Sequence, residues 1–380
     1  MPEHAKLDFI FFDAGGGHRA AATALKDVVE RQGRPWDVRL VNLQEVLDSL
    51  DIFRKITGLR LEDVYNTLLR KGWTLGSGQL LGAMQRVIRL YHRAQVRLLA
   101  EFWRPAPPDL VVSLVPNFNR ALFEGLRGAG AAAPFVTVLT DLADYPPHFW
   151  MEPQPQHFIC GTDKAVEQAL AMDHPLERVF RVSGMILRPR FYEPVEVDRA
   201  AERVKLGLAP GLPTGLVLFG GHGSRAMLEI ARRVARCSRP AQFIFICGHN
   251  QGLARALEAE RLPYPKLVDG YTTGVHYYMK LADFFVGKPG PGSISEALLM
   301  RLPVIVERNA WTLPQERYNA EWVRERQVGF VLDSFRNVHQ TVDQLLEPAT
   351  LAGLQANIAA LDNRAVFEIP EILERLLSRR

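Results

Sequence analysis

The stretch 283–298 constrains the fold of this chain more than any other part of its sequence. An apolar run at 284–286 leads into a loop with three glycines and two prolines, and a helix is predicted to begin near Ser293. Glycine lets the backbone approach a ligand closely, and the free N–H groups and positive dipole end of a helix start suit a phosphate. Two interpretations stay open from this stretch alone: a nucleotide-binding loop, or an ordinary connection in which Ser293 caps the helix.

The order strand, turn, helix recurs along the whole sequence. Short apolar runs bounded by turn residues predict twelve strands, at 7–12, 38–43, 110–115, 135–139, 157–160, 179–183, 216–219, 243–247, 267–271, 284–286, 303–306 and 328–332. Their alternation with helices indicates parallel sheets covered by helices on both faces. A chain of 380 residues is too long to fold around a single hydrophobic core. We therefore predict an α/β protein with two Rossmann-like domains facing a central cleft.

The first predicted strand leads into a glycine-rich turn, the segment 13–18 (DAGGGH). Gly15, Gly16 and Gly17 are contiguous and no Gly-Lys-Ser/Thr closes the turn, so it is neither the dinucleotide fingerprint nor a P-loop. We predict a loop that contacts a phosphate or an acceptor. His18 falls at the start of the next helix, where a buried helix N-terminus keeps an imidazole neutral and able to accept a proton. His18 is therefore a candidate base, and the alternative is a histidine that caps its own helix.

Two further loops carry polar side chains at predicted strand ends. Asp141, Asp144 and His148 follow the strand at 135–139 together with aromatic residues, although a surface loop can hold such residues by chance. In the second half, the segment 220–224 (GGHGS) follows a strand, and more glycine-rich turns follow other strands. These turns make the second half the predicted nucleotide-binding half.

Composition is that of an ordinary soluble globular protein, with 47% hydrophobic and 23% charged residues. The three cysteines have no metal-binding or redox spacing, so a reducing cytoplasm is expected. The first residues show no secretory pattern, and no apolar run reaches the roughly 20 residues that span a bilayer. We therefore expect a cytoplasmic protein that associates only peripherally with the inner face of a membrane.

Positive charge is concentrated in one window of the sequence. Residues 53–104 contain ten Lys/Arg and three acidic residues, a balance of +7, whereas the whole chain carries +4. Four arginines share one face of the helix predicted at the end of this window: Arg86, Arg89, Arg93 and Arg97. Trp73 and Trp103 add aromatic surface nearby. This pattern is typical of a helix lying on an anionic membrane, or of a core-packed helix with a solvated arginine face. No nucleic-acid-binding motif accompanies the charge, so nucleic acid is not an expected partner.

Several segments together resemble the monogalactosyldiacylglycerol synthases. They are 13–22 (DAGGGHRAAA), 54–58 (RKITG), 140–142 (TDL), 287–298 (GKPGPGSISEAL) and 314–316 (PQE). The resemblance covers about 8–329, which is nearly the whole chain. These synthases and the bacterial processive diacylglycerol glucosyltransferases share a fold with the peptidoglycan N-acetylglucosaminyltransferase. Several ordered motifs at matching places make the resemblance specific, since no single motif would suffice.

The resemblance implies a GT-B fold, with residues 1–185 binding the acceptor and the membrane and residues 186–350 binding a UDP-sugar. A final helical segment, 351–380, is expected to cross back to the first domain. The implied reaction is an inverting transfer of a hexose to a diacylglycerol-like lipid acceptor, with a UDP-sugar as co-substrate, no cofactor and no active-site metal. A same-fold enzyme with a non-lipid acceptor, a nucleotide-sugar epimerase and a non-catalytic nucleotide-sugar-binding protein remain the alternatives.

The resemblance also implies roles for individual residues. His18 is the implied base that takes the proton of the acceptor hydroxyl, and Asp141 is either a competing base or the partner that orients it. The implied donor-binding residues are Gly221, His222, Gly223, Gly290, Gly292, Ser293, Ile294, Ser295, Glu296, Gln315, Glu316 and Asn319. The sequence departs from the synthases at 143–146, 221–223 and 308–313, where the acceptor or the donor sugar would be recognised. Glucose, galactose and N-acetylglucosamine therefore all stay open as donor sugars.

Overall fold

A computed structural model describes residues 4–13, 17–48, 77–194 and 196–378 of the chain, and these residues form two compact units. The described parts of Met1–Pro189, Leu313–Gln315 and Asn363–Arg380 make up the first unit. Arg190–Thr312 and Glu316–Asp362 make up the second. Within the described residues, every helix is too short or too polar to cross a membrane.

The first unit is built on a parallel sheet of six strands. The strands are β1 Ala5–Phe11, β2 Trp36–Asn42, β3 Leu110–Ser113, β4 Phe135–Val138, β5 His157–Cys160 and β6 Val179–Arg181. Their order across the sheet is β2-β1-β3-β4-β5-β6. All residues of β3 and β4 are buried, as expected for central strands covered on both faces. The direction of winding reverses between β1 and β3, and ligands of such sheets bind outside the carboxyl ends of the strands at this switch point.

Helices cover both faces of the first sheet. They are α1 Gly17–Arg31, α2 Leu43–Leu47, α3 Ser77–Leu90, α4 His92–Trp103, α5 Asn119–Gly128 and α6 Asp163–Leu170, with a 3-10 turn at Leu176–Arg178. The single arginine-bearing helix predicted from the sequence is therefore two helices, α3 and α4. They meet at Tyr91, whose φ of −92° and ψ of 5° lie outside the helical region.

A buried carboxylate ties α4 to the first sheet. Asp8 in β1 is 2% exposed and accepts a hydrogen bond from Trp103 Nε1 at 2.8 Å. The same carboxylate accepts from Nε and Nη2 of Arg39 at 2.8 and 2.6 Å. The prediction that Trp103 contributes aromatic surface is wrong, because this indole is fully buried. Its N–H has a partner in Asp8, so burial leaves no unsatisfied donor.

The second unit is also built on a parallel sheet of six strands. The strands are β7 Thr214–Leu218, β8 Gln242–Ile246, β9 Lys266–Asp269, β10 Phe284–Gly287, β11 Val304–Glu307 and β12 Gly329–Leu332. Their order is β12-β11-β10-β7-β8-β9, so the switch point of this sheet lies between β7 and β10. The loops that follow β7 and β10 are the two glycine-rich segments singled out in the sequence.

One helix precedes the strands of the second unit, five connect successive strands and two follow the last strand. They are α7 Arg199–Lys205, α8 Ala226–Val234, α9 Gln251–Ala259, α10 Val275–Leu281, α11 Pro291–Leu299, α12 Arg317–Glu325, α13 Val338–Leu345 and α14 Pro348–Ala359, with a 3-10 turn at Phe335–Asn337. Two further 3-10 turns, Pro189–Phe191 and Pro314–Glu316, include residues assigned to both units. Helix α11 begins at Pro291 with Gly290 as its N-cap, so the prediction of a start near Ser293 is wrong. Proline suits the first helical position because its φ is already helical and its missing N–H has no partner there.

The last helix, α15 Ala365–Ser378, belongs to the first unit. Its buried residues Ile369 and Leu373 share a hydrophobic core with Leu25 of α1 and with β1. Helix α14 belongs to the second unit, so the chain returns to the first unit after Asp362, later than the predicted position 350. The first division between the units falls after Pro189, close to the predicted position 185.

Candidate active site

His18 lies in the first turn of α1, at the carboxyl end of β1 and beside the switch point of the first sheet. Its Nδ1 is 3.1 Å from Oγ1 of Thr140, and the centroids of the His18 and Trp150 rings are 5.9 Å apart. Thr140 stands 122 residues away in the sequence, so no local pattern predicted this contact. Gly17 is the exposed first residue of α1, whereas Gly15 and Gly16 lie outside the described residues.

The surroundings of His18 keep its ring neutral. The side chain is half-buried, and the protein atoms that exclude water from the imidazole lower its pKa from 6.5 to about 4. A hydrogen bond to the Leu114 carbonyl opposes this shift, because it favours the protonated ring. At pH 7 the imidazole is therefore uncharged and has a lone pair that can accept a proton.

Asp141, the second predicted catalytic residue, is buried and bonded to Trp150. Its Oδ2 accepts from Trp150 Nε1 at 2.9 Å. The backbone N–H of Trp150 donates to Asp144 at 2.6 Å, and that of His148 donates to the same carboxylate at 3.0 Å. Burial raises the pKa of Asp144, and these N–H donors oppose the shift. Asp141 thus holds the indole that packs beside His18, which favours the positioning alternative over that of a competing base.

Helix α11 supplies the predicted phosphate contact of the second unit. Its N-cap, Gly290, has no side chain that could accept from the first N–H groups of the helix. Pro291 has no N–H, which leaves the N–H groups of Gly292 and Ser293 at the positive end of the helix dipole. An anionic ligand placed at this end would be bound by backbone groups alone.

Other predicted donor-binding residues differ in exposure. Ile294 and Asn319 are fully buried, whereas Ser295, Glu296 and Gln315 are half-buried. The amide Nδ2 of Asn319 donates to the carbonyl of Pro289 at 2.8 Å. Asn319 therefore fixes the loop that precedes α11. The side chain of Ile294 packs in the core, and its backbone N–H donates to the Gly290 carbonyl at 3.1 Å.

Lys288 is a candidate functional residue that the sequence interpretation missed. It follows β10 directly, and its Nζ donates to Oε1 of Glu316 at 2.7 Å. Glu316 is 7% exposed, so this pair has one buried and one partly exposed member. The sequence feature that could have identified Lys288 is its place inside the loop 287–292. The prediction of a function for this loop used only its glycines.

The loop that follows β7 carries the predicted residues Gly221, His222 and Gly223 and packs against the loop that follows β8. A β-carbon on Gly248 would collide with the carbonyl of Gly221, and the φ of Gly248 is +59°, so only glycine fits there. The Gly221 carbonyl accepts from the backbone N–H of His249 at 2.8 Å. The rings of His222 and His249 have centroids 6.1 Å apart. Both histidines thus lie at the carboxyl ends of neighbouring strands.

The predicted membrane-facing arginines are all exposed: Arg86, Arg89, Arg93 and Arg97. Beside them, Val87 is 51% and Leu90 is 77% exposed, which is high for large apolar side chains. We call Arg86, Val87, Arg89, Leu90 and Arg93 the basic surface. Trp73 and the segment 54–58 lie outside the described residues.

Comparison with solved structures identifies the fold. The structure of Acinetobacter baumannii MurG matches with a TM-score of 0.63 and 12% sequence identity, covering 97% of this chain and 99% of that chain. The S. aureus MnaA–UDP co-structure matches with a TM-score of 0.63 and 16% identity, covering 98% of this chain and 97% of that chain. The predicted GT-B fold is confirmed, with two parallel six-stranded sheets flanked by helices.

Sequence comparison identifies the relatives. The chloroplastic monogalactosyldiacylglycerol synthase of Spinacia oleracea is 28% identical over 398 residues, covering 100% of this chain and 74% of the relative. Monogalactosyldiacylglycerol synthase 1 of Arabidopsis thaliana is 27% identical over 402 residues, covering 99% and 72%. No protein-family model matches the sequence. The chain is a glycosyltransferase, and the predicted resemblance to these synthases is confirmed. It extends beyond the predicted 8–329 to nearly the full chain.

Proposed function

We propose that this chain transfers a hexose from a UDP-sugar to a diacylglycerol-like lipid at a membrane surface, with inversion of the anomeric carbon. The observation that carries the proposal is His18, which is neutral, hydrogen-bonded to Thr140 and located at the switch point of the first sheet. The names of the full-length relatives support a glycolipid product. The UDP bound by S. aureus MnaA supports a uridine diphosphate ligand for this fold.

The acceptor half of the reaction needs a base. The acceptor hydroxyl must lose its proton as its oxygen attacks C1 of the sugar, and a neutral imidazole within hydrogen-bonding reach can take that proton. Such a base contributes on the order of 10² to 10⁴ in rate. Attack from the face opposite the leaving phosphate inverts C1. Thr140 and Trp150 hold the His18 ring in place for this step.

The donor half needs a site for a diphosphate that gains charge as it leaves. The first turn of α11 offers backbone N–H groups and the positive end of a helix dipole, which stabilise that charge. The glycine loop after β7 lies across the same switch point. We propose that no active-site metal takes part and that backbone and side-chain donors hold the diphosphate.

The basic surface supports peripheral contact with an anionic membrane at its cytoplasmic face. Each arginine near such a surface is worth about 1 kcal/mol, and apolar side chains add to this by burial between lipids. Arg86, Arg89 and Arg93 supply the charge, and Val87 and Leu90 supply the apolar contact. A lipid acceptor would then meet the enzyme without leaving the bilayer.

Thermal unfolding with added nucleotides tests the donor assignment. UDP, UDP-glucose, UDP-galactose and UDP-N-acetylglucosamine should each raise the melting temperature, because a ligand that binds only the folded state stabilises it. At a concentration of about 100 Kd the expected gain is about 2.7 kcal/mol. A GDP-sugar is the control and should give no shift. The UDP-sugar that gives the largest shift in melting temperature would then indicate the hexose. No shift with any of the nucleotides would contradict the proposed function.

A further inference from the structure

Lys288 lies where the two glycine-rich loops of the second unit meet. It is the residue after β10, and its Cε is 3.9 Å from the position that a β-carbon on Gly220 would take. The same Cε is 3.4 Å from a β-carbon position on Gly290, the N-cap of α11. Both glycines leave the space around the Lys288 side chain open. The ammonium group is therefore next to the first turn of α11 and at the switch point between β7 and β10.

Glu316 fixes the direction of the Lys288 side chain. The carboxylate side chain is 10% exposed and lies 2.7 Å from Nζ, whereas the lysine side chain remains 38% exposed. An ammonium group has three N–H donors, so one donor to Glu316 leaves two for other acceptors. A buried carboxylate that holds a partly exposed lysine orients the positive charge before any ligand arrives.

We propose that Lys288 binds the diphosphate of the nucleotide-sugar and stabilises the departing UDP, with Glu316 as the positioning residue for its ammonium group. This inference rests on the proposed UDP-sugar function. In the transfer step, the bond between C1 and the β-phosphate oxygen breaks and its electron pair stays on that oxygen. The acceptor oxygen forms the new bond to C1, and its proton passes to His18. A fixed cation beside the phosphate stabilises the charge that develops there.

Calorimetric titration of uridine and UDP separates binding of the diphosphate from binding of the nucleoside. In Lys288→Gln, the affinity for UDP should fall about 30-fold, the effect of losing one charged hydrogen-bonding group, while the affinity for uridine stays at the wild-type value. Lys288→Arg keeps the positive charge and should recover most of the UDP affinity. Lys280→Gln is the matched control, because Lys280 is an exposed lysine of α10 in the same unit, and it should bind both ligands as wild type does.

Each outcome has a distinct consequence. An unchanged ratio of UDP affinity to uridine affinity in Lys288→Gln would overturn the inference, and UDP binding by the wild type would leave the proposed function in place. An equal loss of affinity for UDP and for uridine in Lys288→Gln, not restored in Lys288→Arg, would also overturn the inference. Such a loss would assign Lys288 a purely structural role. A wild-type protein that binds no UDP would contradict the proposed function itself, and the inference with it.

Discussion

His18 is surrounded by groups that come from loops far apart in the sequence. The Leu114 carbonyl follows β3, and Thr140 and Trp150 follow β4. Burial lowers the pKa of the His18 imidazole from 6.5 to about 4, and the hydrogen bond to the Leu114 carbonyl opposes this shift. The sequence predicted a neutral histidine at a helix start, which agrees with this direction. Its hydrogen-bonding partner could not be predicted, because only the folded sheet brings Thr140 beside it.

The hydroxyl of Thr140 should matter for turnover more than for donor binding. In Thr140→Val, kcat should fall about fivefold, since the ring loses a hydrogen bond worth about 1 kcal/mol that fixes its orientation. The KM for the UDP-sugar should stay near the wild-type value. Steady-state kinetics at several donor concentrations measure both constants.

Thr140→Ser is the matched control for this hydroxyl, because it keeps the oxygen while it removes the methyl group. It should keep most of the wild-type kcat. A valine variant with wild-type kcat, or one in which KM changes as much as kcat, would contradict the orienting role of Thr140.

Helix starts show where element-level prediction succeeds and where it fails. The strand, loop and helix at 283–298 were predicted correctly, because a buried apolar run and a cluster of glycine and proline mark them clearly. The first residue of α11 was not, since serine is a stronger N-cap than glycine in general. Here Pro291 already has a helical φ and starts the helix earlier. This start brings Gly292 into the first turn, where its N–H lies at the positive end of the helix dipole.

The break between α3 and α4 could not be predicted from the spacing of the arginines. Arg86, Arg89, Arg93 and Arg97 keep helical spacing across Tyr91, so the pattern continues although the helix does not. Only the backbone angles of Tyr91 show the change of element. Arg97 lies in α4, and its Nε is 4.0 Å from the carboxylate of Glu101.

Charge reversal on the basic surface should abolish binding to anionic vesicles. The triple variant Arg86→Glu, Arg89→Glu, Arg93→Glu loses about 3 kcal/mol of attraction and adds repulsion, so its affinity should fall more than about 100-fold. Vesicle co-sedimentation at two salt concentrations measures this, because screening weakens such binding.

A second triple variant controls for the change in net charge. Arg255, Arg261 and Arg336 are exposed arginines of the second unit, and their replacement by glutamate gives the same net charge. This variant should bind vesicles as wild type does. If the wild type and both triple variants bound anionic vesicles equally, the basic surface would lose its support as the membrane contact.

At the scale of the whole molecule, all twelve predicted strands are present, with ends that differ by a few residues. Strands of parallel sheets are buried on both faces, so they stand out as apolar runs. These apolar runs do not determine the order of strands within each sheet, because that order depends on pairing between distant segments. The switch points, and hence the convergence of Lys288, Gly220 and Gly290, became visible only once the order was known.

Buried polar contacts are the other part of the molecule that the sequence could not predict. Asp8 and Trp103 are 95 residues apart and meet in the core of the first unit. Trp103 was assigned to the surface because it lies in the basic window, whereas the indole N–H needs a buried acceptor that only the fold supplies. Polar networks of this kind depend on three-dimensional placement, and the same holds for the contact between Asp141 and Trp150.

The most direct measurement is hexose transfer from UDP-sugars to diacylglycerol in anionic vesicles, with the product identified by mass spectrometry and its anomeric configuration by NMR. Wild type and His4→Asn, a control at an exposed histidine, should form an inverted glycolipid at equal rates. His18→Asn should be slower by about 10² to 10⁴, because it lacks the base, and should still bind UDP. Unimpaired transfer by His18→Asn, or no transfer by the wild type from any UDP-sugar, would contradict the account.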